Sequence, residues 1–176
     1  MLLIWRSQSG ASKSGASKRN DTMETKTILS YLHSQLYDSL ITILTDLMDQ
    51  QLEYNASQID TRSISDVALH AYRPVFAIAC VLAGEEWPVR PQLPVAKNEL
   101  FDLFQTMRTH IDECIIHIPF AKLDEIISLP WNQQQSGLEA FVGSFMHGMQ
   151  HIGAIQGIRA FGEFPMPPED PKPARG

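Results

Sequence analysis

The sequence predicts an all-α protein that folds as a four-helix bundle. Apolar residues recur every three or four positions along four separate segments, the spacing of one buried helix face. Strict alternation of apolar and polar residues, which marks a half-buried strand, is absent. Four helices that are apolar on one side bury those sides most simply against one another. A chain of 176 residues has room for one such domain.

The first two helices are predicted from their apolar stripes and one cap. The first runs over residues 26–54, with a stripe that starts at Ile28. The second begins at Ser63, with Asp66 three residues on at the positive end of the helix dipole, and ends within residues 84–88. Pro74 predicts a kink or a loosened turn in this helix, because proline has no N–H to bond the carbonyl of His70.

The third and fourth helices are predicted over residues 96–118 and 138–162. Pro119 stops the third helix, and a long loop with one short helix near residues 122–128 follows. Glycine lowers the stability of a helix interior by up to about 1 kcal/mol relative to alanine. Repeated glycine in the fourth helix therefore predicts close approach by a neighbouring backbone. The glycines are Gly143, Gly148, Gly153 and Gly157.

The two ends of the chain differ in composition from the helical part. Residues 1–22 are basic and rich in serine and glycine, which predicts a disordered extension. An organelle transit peptide and a start at Met23 are the alternative interpretations of this segment. Residues 164–176 are rich in proline and predict a tail. The domain is thus expected over residues 23–163.

Charge, hydropathy and cysteine content limit the classes of function. Twenty acidic against fourteen basic residues give a net charge of −6, which disfavours nucleic acid as a partner. The longest apolar run, residues 75–84, is shorter than the roughly 20 residues of a membrane-spanning helix, so no membrane partner is expected. Cys80 and Cys114 are too few for a disulfide framework, which favours a reducing, cytoplasmic compartment.

His147 and His151 are the sharpest local feature of the sequence. Their spacing in a helix places both rings on one face, one turn apart, close enough to share a metal. Two histidines that pack separately at the surface or in the core are the alternative. Gly148 stands where zinc proteases of the His-Glu-x-x-His class need a general-base glutamate, and that class is therefore excluded.

A catalytic metal site usually has three protein ligands, so another helix has to supply the third. His70 is the first candidate, because it lies at the edge of the apolar stripe of the second helix. A buried histidine bonded to a neighbouring hydroxyl is the other interpretation of His70. A rival set with softer ligands lies on one face of the third helix, and His33 is a weaker candidate. The rival set is His110, Cys114 and His117.

Two segments together resemble the DinB-like superfamily. They are Ser63-Ile-Ser-Asp-Val-Ala-Leu-His70 and His147-x-x-x-His151-x-Gly153-x-Ile155. The resemblance covers residues 23–163 and implies an up-down-down-up four-helix bundle. It also implies a divalent metal held by His70, His147 and His151, for which we expect zinc first, with nickel, manganese and iron as alternatives.

The resemblance implies a thiol-dependent S-transferase that acts on a small electrophile, with bacillithiol, mycothiol or a related low-molecular-weight thiol as cosubstrate. A hydrolase in which the metal activates water is the first alternative. A non-enzymatic bundle that dimerises, or that binds a small apolar ligand, is the second. A small-molecule substrate is the expected partner, and a homodimer is left open.

The sequence assigns no catalytic side chain. Several charged residues lie near predicted helix ends or among apolar neighbours, where they could meet a substrate or form surface ion pairs of little energetic worth. These are Arg73, Glu85, Glu86, Glu139 and Arg159. Two amides of the fourth helix, Gln150 and Gln156, could orient a ligand histidine.

Overall fold

The computed structural model of the protein describes the backbone of residues 14–165 and the side chains from residue 24 onward. Residues 1–13 of the predicted disordered extension lie outside the described part of the chain, as do residues 166–176 of the predicted tail. Within the described part, the prediction of an all-α protein is confirmed.

Helices make up most of the described chain. They are α1 (Ser14–Leu44), α2 (Asp49–Leu52), α3 (Ile64–Leu82), α4 (Lys97–His117), α5 (Phe120–Asp124) and α6 (Gly137–Phe161). A small antiparallel hairpin of β1 (Ile126–Ser128) and β2 (Gln134–Ser136) pairs Ile126 with Ser136 and Ser128 with Gln134. The four long helices α1, α3, α4 and α6 share one core, in which α3 and α1 each contact both α4 and α6.

The core takes fully buried side chains from every long helix. Leu36 and Leu40 come from α1, Tyr72 from α3, Phe104 from α4 and Phe141 from α6. Most residues of α3 are buried, because this helix packs against both α4 and α6. The site described below lies at the contact between α3 and α6.

Helix α3 also meets the length and hydropathy test for a membrane-spanning segment. Its most apolar window has a mean hydropathy of 1.3, and 67% of that window is buried inside the fold. The core helix of a globular domain passes the same test, so this finding alone is a weak indication of a membrane.

The predicted helix starts are confirmed where a side chain caps the helix. The Ser63 hydroxyl accepts a hydrogen bond from the Asp66 amide at 3.3 Å at the start of α3. Ser136 and Glu139 form a reciprocal capping box at the start of α6, with bonds of 2.9 and 3.3 Å. Helix α3 continues through Pro74 without interruption.

The prediction for the first helix is wrong at both ends, since α1 starts at Ser14 and ends at Leu44. Two cations bind the carbonyl groups at its C-terminal end. Arg159 donates to the carbonyl of Ile43 in the last turn, and Lys97 Nζ donates to the carbonyl of Thr45, the residue that follows the helix. Such contacts satisfy carbonyls that the helix leaves free, and they favour termination here.

The segment between α4 and α6 also differs from the prediction. The short helix occupies Phe120–Asp124, and the hairpin follows where the sequence predicted helix and loop. Strands of three residues are too short to show alternation in the sequence. Phe164, predicted to start the tail, packs edge-on against Tyr54 with ring centroids 5.1 Å apart.

Candidate metal centre and adjoining cavity

The packing of α3 against α6 brings three histidines together. The Nε2 atoms of His70 and His147 lie 3.2 Å apart. The ring centroid of His151 lies 4.7 Å from that of His70 and 4.4 Å from that of His147. One ligand nitrogen from each ring lies within 4.8 Å of the other two. The three residues that the sequence singles out therefore form one group of potential metal ligands.

Gly148 allows the close contact between these helices. A Cβ at this position would lie 2.8 Å from the carbonyl oxygen of Ala71 and 2.8 Å from a methyl group of Leu36. The expectation of close approach at a glycine is thus confirmed at Gly148. It fails at Gly153, where a Cβ would meet nothing within 4 Å, and at Gly143 and Gly157, where a Cβ would meet only side-chain atoms.

The spacing of the ring nitrogens fits a divalent metal. Zinc binds histidine nitrogen at about 2.0–2.1 Å, so two nitrogens at a tetrahedral angle lie roughly 3.3 Å apart. The 3.2 Å between His70 and His147 matches this separation. Three histidine ligands are also the donor set of a catalytic zinc site, which keeps one position for water or substrate.

The surroundings favour the neutral form of all three histidines. Burial, followed by the charge of Arg62, lowers the pKa of His70 to about 4. Burial is also the main cause of the lowered pKa values of His147 and His151, and Arg62 contributes to both. Neutral imidazole is the form that binds a metal, so these rings do not require a proton to be displaced near neutral pH.

An ion pair next to the histidines escaped the sequence analysis. Arg62 Nη2 lies 2.7 Å from Asp60 Oδ2, and Arg62 Nε donates to Asp60 Oδ1 at 3.0 Å. This pairing lowers the pKa of Asp60 to about 2, so its carboxylate stays ionised. The Asp60 charge opposes that of Arg62 at His151, where it favours the protonated form. Both residues lie in the irregular segment before α3, where the sequence shows no motif that would identify them.

A cavity of about 480 Å³ opens beside two of the histidines, His70 and His147. Its wall combines large aromatic rings with a cation: Trp87, Trp131 and Arg73. Among the described residues, no acidic side chain forms an ion pair with the Arg73 guanidinium. The cavity can therefore hold a small molecule that has an apolar part and an anionic group.

Comparisons of the chain with protein-family models, with curated proteins and with solved structures find no match. The function has to be argued from the chemistry of the site. The resemblance to the DinB-like superfamily remains a prediction, as does the binding of a metal by His70, His147 and His151.

The rival set of ligands does not assemble as predicted. His117 is exposed, and its Nδ1 donates to the carbonyl of Glu113 at 2.8 Å. His110 and Cys114 lie instead with Glu85 and Cys80. The sequence analysis correctly placed His110 and Cys114 on one face of α4. It could not identify Cys80 and Glu85, because their position beside this face depends on tertiary packing.

The weaker candidate, His33, lies in the core. Its Nδ1 donates to Asp112 Oδ1 at 3.0 Å, and the Tyr72 hydroxyl donates to its Nε2 at 2.5 Å. Burial lowers its pKa, although the carboxylate of Asp112 acts in the opposite direction. His33 is fully buried with both nitrogens engaged, which is the arrangement of a structural histidine.

The remaining polar candidates divide by location. Arg73 lines the cavity, whereas Arg159 is buried and donates to the Asp46 carboxylate at 2.8 Å. Glu139 belongs to the capping box of α6. Three further candidates are exposed: Glu86, Gln150 and Gln156. Of the residues that the sequence left without a role, only Arg73 lies at the cavity wall.

Proposed function

We propose that the protein is a metal-dependent S-transferase of the DinB-like type, which joins a low-molecular-weight thiol to a small electrophile. The observation that carries this proposal is the convergence of His70, His147 and His151 beside a cavity whose wall includes His70 and His147. We also propose that the four long helices form the up-down-down-up bundle that the resemblance implies. Zinc is the expected ion, and a small molecule is the expected partner.

The three histidines would hold the ion as neutral ligands. A divalent cation bound only by neutral imidazoles keeps its charge uncompensated and so stabilises a thiol in the ionised form near neutral pH. Arg62 helps to keep the rings unprotonated, and Asp60 balances its positive charge. The chain thereby supplies a site of the right donor type and protonation state.

The cavity supplies binding for both reactants. Its volume of about 480 Å³ lies within the roughly 300–1,000 Å³ of small-molecule sites. Trp87 and Trp131 offer aromatic surface to the electrophile, and the Arg73 guanidinium can pair with a carboxylate on the thiol. Arg73 lies three residues after His70 on α3, so the two side chains lie on neighbouring positions of one helix face.

The reaction forms one bond and breaks one bond. The thiol sulfur attacks an electrophilic carbon and forms the carbon–sulfur bond, while the leaving group departs with the electrons of its own bond. The thiol proton is released to solvent. The role of the chain is to hold sulfur and carbon in line within the cavity, which is a large part of the rate enhancement in such displacements.

Metal analysis tests the site. Protein purified without chelator is expected to hold zinc, and His147→Ala and His151→Ala are each expected to lose about one equivalent relative to the unmodified chain. His117→Ala is the matched control, because this histidine is exposed and outside the cluster. Unchanged metal content in both α6 variants would overturn the proposed centre.

Activity tests the reaction class. The protein is incubated with a panel of alkyl halides, aryl halides and epoxides, with and without cysteine as the thiol. We expect a thioether product that requires the thiol, and we expect His147→Ala to remove it. If the protein forms no thioether but hydrolyses model esters faster than the same solution without protein, a hydrolase at the same site replaces the proposal. Metal binding without either reaction would replace it with a non-enzymatic binding protein.

A further inference from the structure

A second group of metal-ligand side chains lies farther along α3. Cys80 is ten residues after His70, which places the two positions about 15 Å apart along the helix. One ligand atom each from Cys80, Glu85, His110 and Cys114 lies within 4.8 Å of the other three. We propose that these four residues form a second metal site, suited to zinc and separate from the three-histidine centre.

Direct contacts already connect three of the four ligands. His110 Nε2 lies 2.8 Å from Glu85 Oε2. The Cys114 thiol donates to the other oxygen of the same carboxylate at 3.5 Å. Glu85 thus links a nitrogen and a sulfur of α4, and Cys80 of α3 completes the group. The donors come from α3, from the turn that follows it and from α4, so a bound ion would connect α3 to α4.

The local backbone explains the position of Glu85. Helix α3 ends in a Schellman motif, in which the Gly84 amide donates to the carbonyl of Val81 at 3.1 Å and the Glu85 amide donates to the carbonyl of Cys80 at 2.9 Å. Gly84 adopts a φ of 93°, which glycine tolerates without strain. This turn folds the chain back, so that Glu85 returns to the level of Cys80.

The donors from α4 are placed by helical spacing alone. His110 and Cys114 are four residues apart, which puts them on one face of the helix, one turn apart. This face packs against α3, and Cys114 is buried there with 2% exposure. The helical register that contributes to the core therefore also directs both donors to the same point.

The donor set is suited to zinc. Two sulfurs, one imidazole nitrogen and one carboxylate oxygen make four ligands, all of types that zinc accepts in tetrahedral sites. Thiolates are soft ligands, and their presence disfavours magnesium and calcium, which take oxygen ligands. With both thiols ionised, these ligands carry three negative charges against the two positive charges of the ion. The ligands of the three-histidine centre carry no charge.

Burial separates the roles of the four ligands. Cys80 and Cys114 are buried, whereas the side chains of Glu85 and His110 are 45% and 39% exposed. The thiols thus lie behind a charged pair that reaches solvent. This arrangement gives an ion a path from solvent and a site closed on the inner side, as in structural zinc sites.

Cobalt substitution distinguishes this site from the three-histidine centre. Cobalt bound by thiolate shows a charge-transfer band in the near ultraviolet, which cobalt bound by imidazole alone lacks. The reduced full-length protein is titrated with cobalt alone. We expect this band, and we expect Cys114→Ser to remove it and His147→Ala to leave it unchanged. The second site can therefore be tested whether or not the first binds metal.

Two exposed ligands keep the test independent of folding. Glu85→Gln and His110→Gln change half-exposed side chains, and each is expected to weaken zinc binding at this site by about tenfold or more. Two exposed residues are matched controls that should bind as the unmodified chain does: Glu86→Gln, next to Glu85, and His117→Gln, two helical turns after His110 on α4. Absence of the band, or its persistence in both Cys114→Ser and His110→Gln, would overturn the second site. A disulfide between Cys80 and Cys114 in the freshly purified protein would overturn it as well.

Discussion

The Nε2 atoms of His70 and His147 lie 3.2 Å apart, although 77 residues separate the two histidines in the chain. This contact exists only because α3 and α6 pack closely. Gly148, the residue after His147, allows that packing because it has no side chain. The geometry of the histidine centre and the stability of this helix pair therefore have the same structural origin.

The first prediction concerns Gly148→Ala. The added methyl group would lie 2.8 Å from the Ala71 carbonyl oxygen, so the helices have to separate. We expect the free energy of unfolding, measured in urea, to fall by about 1–3 kcal/mol, as for other overpacked cores. We also expect less metal at the histidine centre, because His70 moves away from His147.

Gly153→Ala on the same helix is the control for this experiment. A Cβ there meets nothing within 4 Å, so helix propensity alone should decide the effect. We expect unchanged stability or a gain of up to about 1 kcal/mol, with unchanged metal content. Equal losses in both variants would show that close packing at Gly148 is not the cause.

The second prediction concerns the balance of charge at the centre. Asp60→Asn leaves the Arg62 guanidinium without its carboxylate beside the three histidines. Because an uncompensated positive charge repels a cation, zinc binding is expected to weaken by about tenfold, as measured by competition with a chelating dye. Asp60→Asn combined with Arg62→Gln should recover most of the affinity. Failure of the double variant to recover it would point to lost loop structure instead of charge.

The four long helices could be predicted because their signals are local. Ser63 and Ser136 cap the helices that follow them, and Pro119 follows directly on the end of α4. The end of α1 could not be predicted, because it depends on Arg159, which is far away in the chain. The hairpin was missed because three-residue strands show no periodicity.

The candidate site also has a part that follows from local sequence spacing and a part that depends on tertiary packing. His147 and His151 are one helical turn apart, so their proximity follows from the sequence spacing. Their meeting with His70 is a tertiary contact. The position of His70 at the edge of an apolar stripe made it the first candidate for a third ligand, and the resemblance implied the same ligand set. Cys80 and Glu85 were not grouped with Cys114 from the sequence, because that group depends on how α3 packs against α4.

The third prediction concerns the anionic group of the thiol. Arg73→Gln removes the cation from the cavity wall, and its guanidinium has no acidic partner among the described side chains. Under the proposed function, KM for a thiol with a carboxylate should rise by tenfold or more, since a hydrogen bond to a charged group contributes about 1.5–3 kcal/mol. KM for a neutral thiol of similar size should stay the same. An equal rise for both thiols would indicate a change in cavity shape.

The fourth prediction concerns Asp46, which accepts hydrogen bonds from the buried guanidinium of Arg159. These bonds lower the pKa of the Asp46 carboxyl from its ordinary value of 3.8. Since the folded pKa lies below the unfolded one, the ionised carboxylate stabilises the fold above pH 3.8, and this contribution disappears as the pH falls through the folded value. Asp46→Asn should therefore reduce the free energy of unfolding at neutral pH by about 1–3 kcal/mol, because the amide has one acceptor oxygen in place of two and replaces a carboxylate beside the buried Arg159 cation.

The difference in the free energy of unfolding between the unmodified chain and Asp46→Asn should shrink as the pH falls. The reason is that Asp46 becomes protonated in the unmodified chain and loses its charge. Urea denaturation at a series of pH values from neutral to strongly acidic measures this difference directly. Asp38→Asn is the control, since its carboxylate is 61% exposed and lies 3.8 Å from Arg108. That exposed pair should contribute less than about 1 kcal/mol at any pH. A difference between the unmodified chain and Asp46→Asn that stays constant with pH would show that the charge of Asp46 does not stabilise the fold.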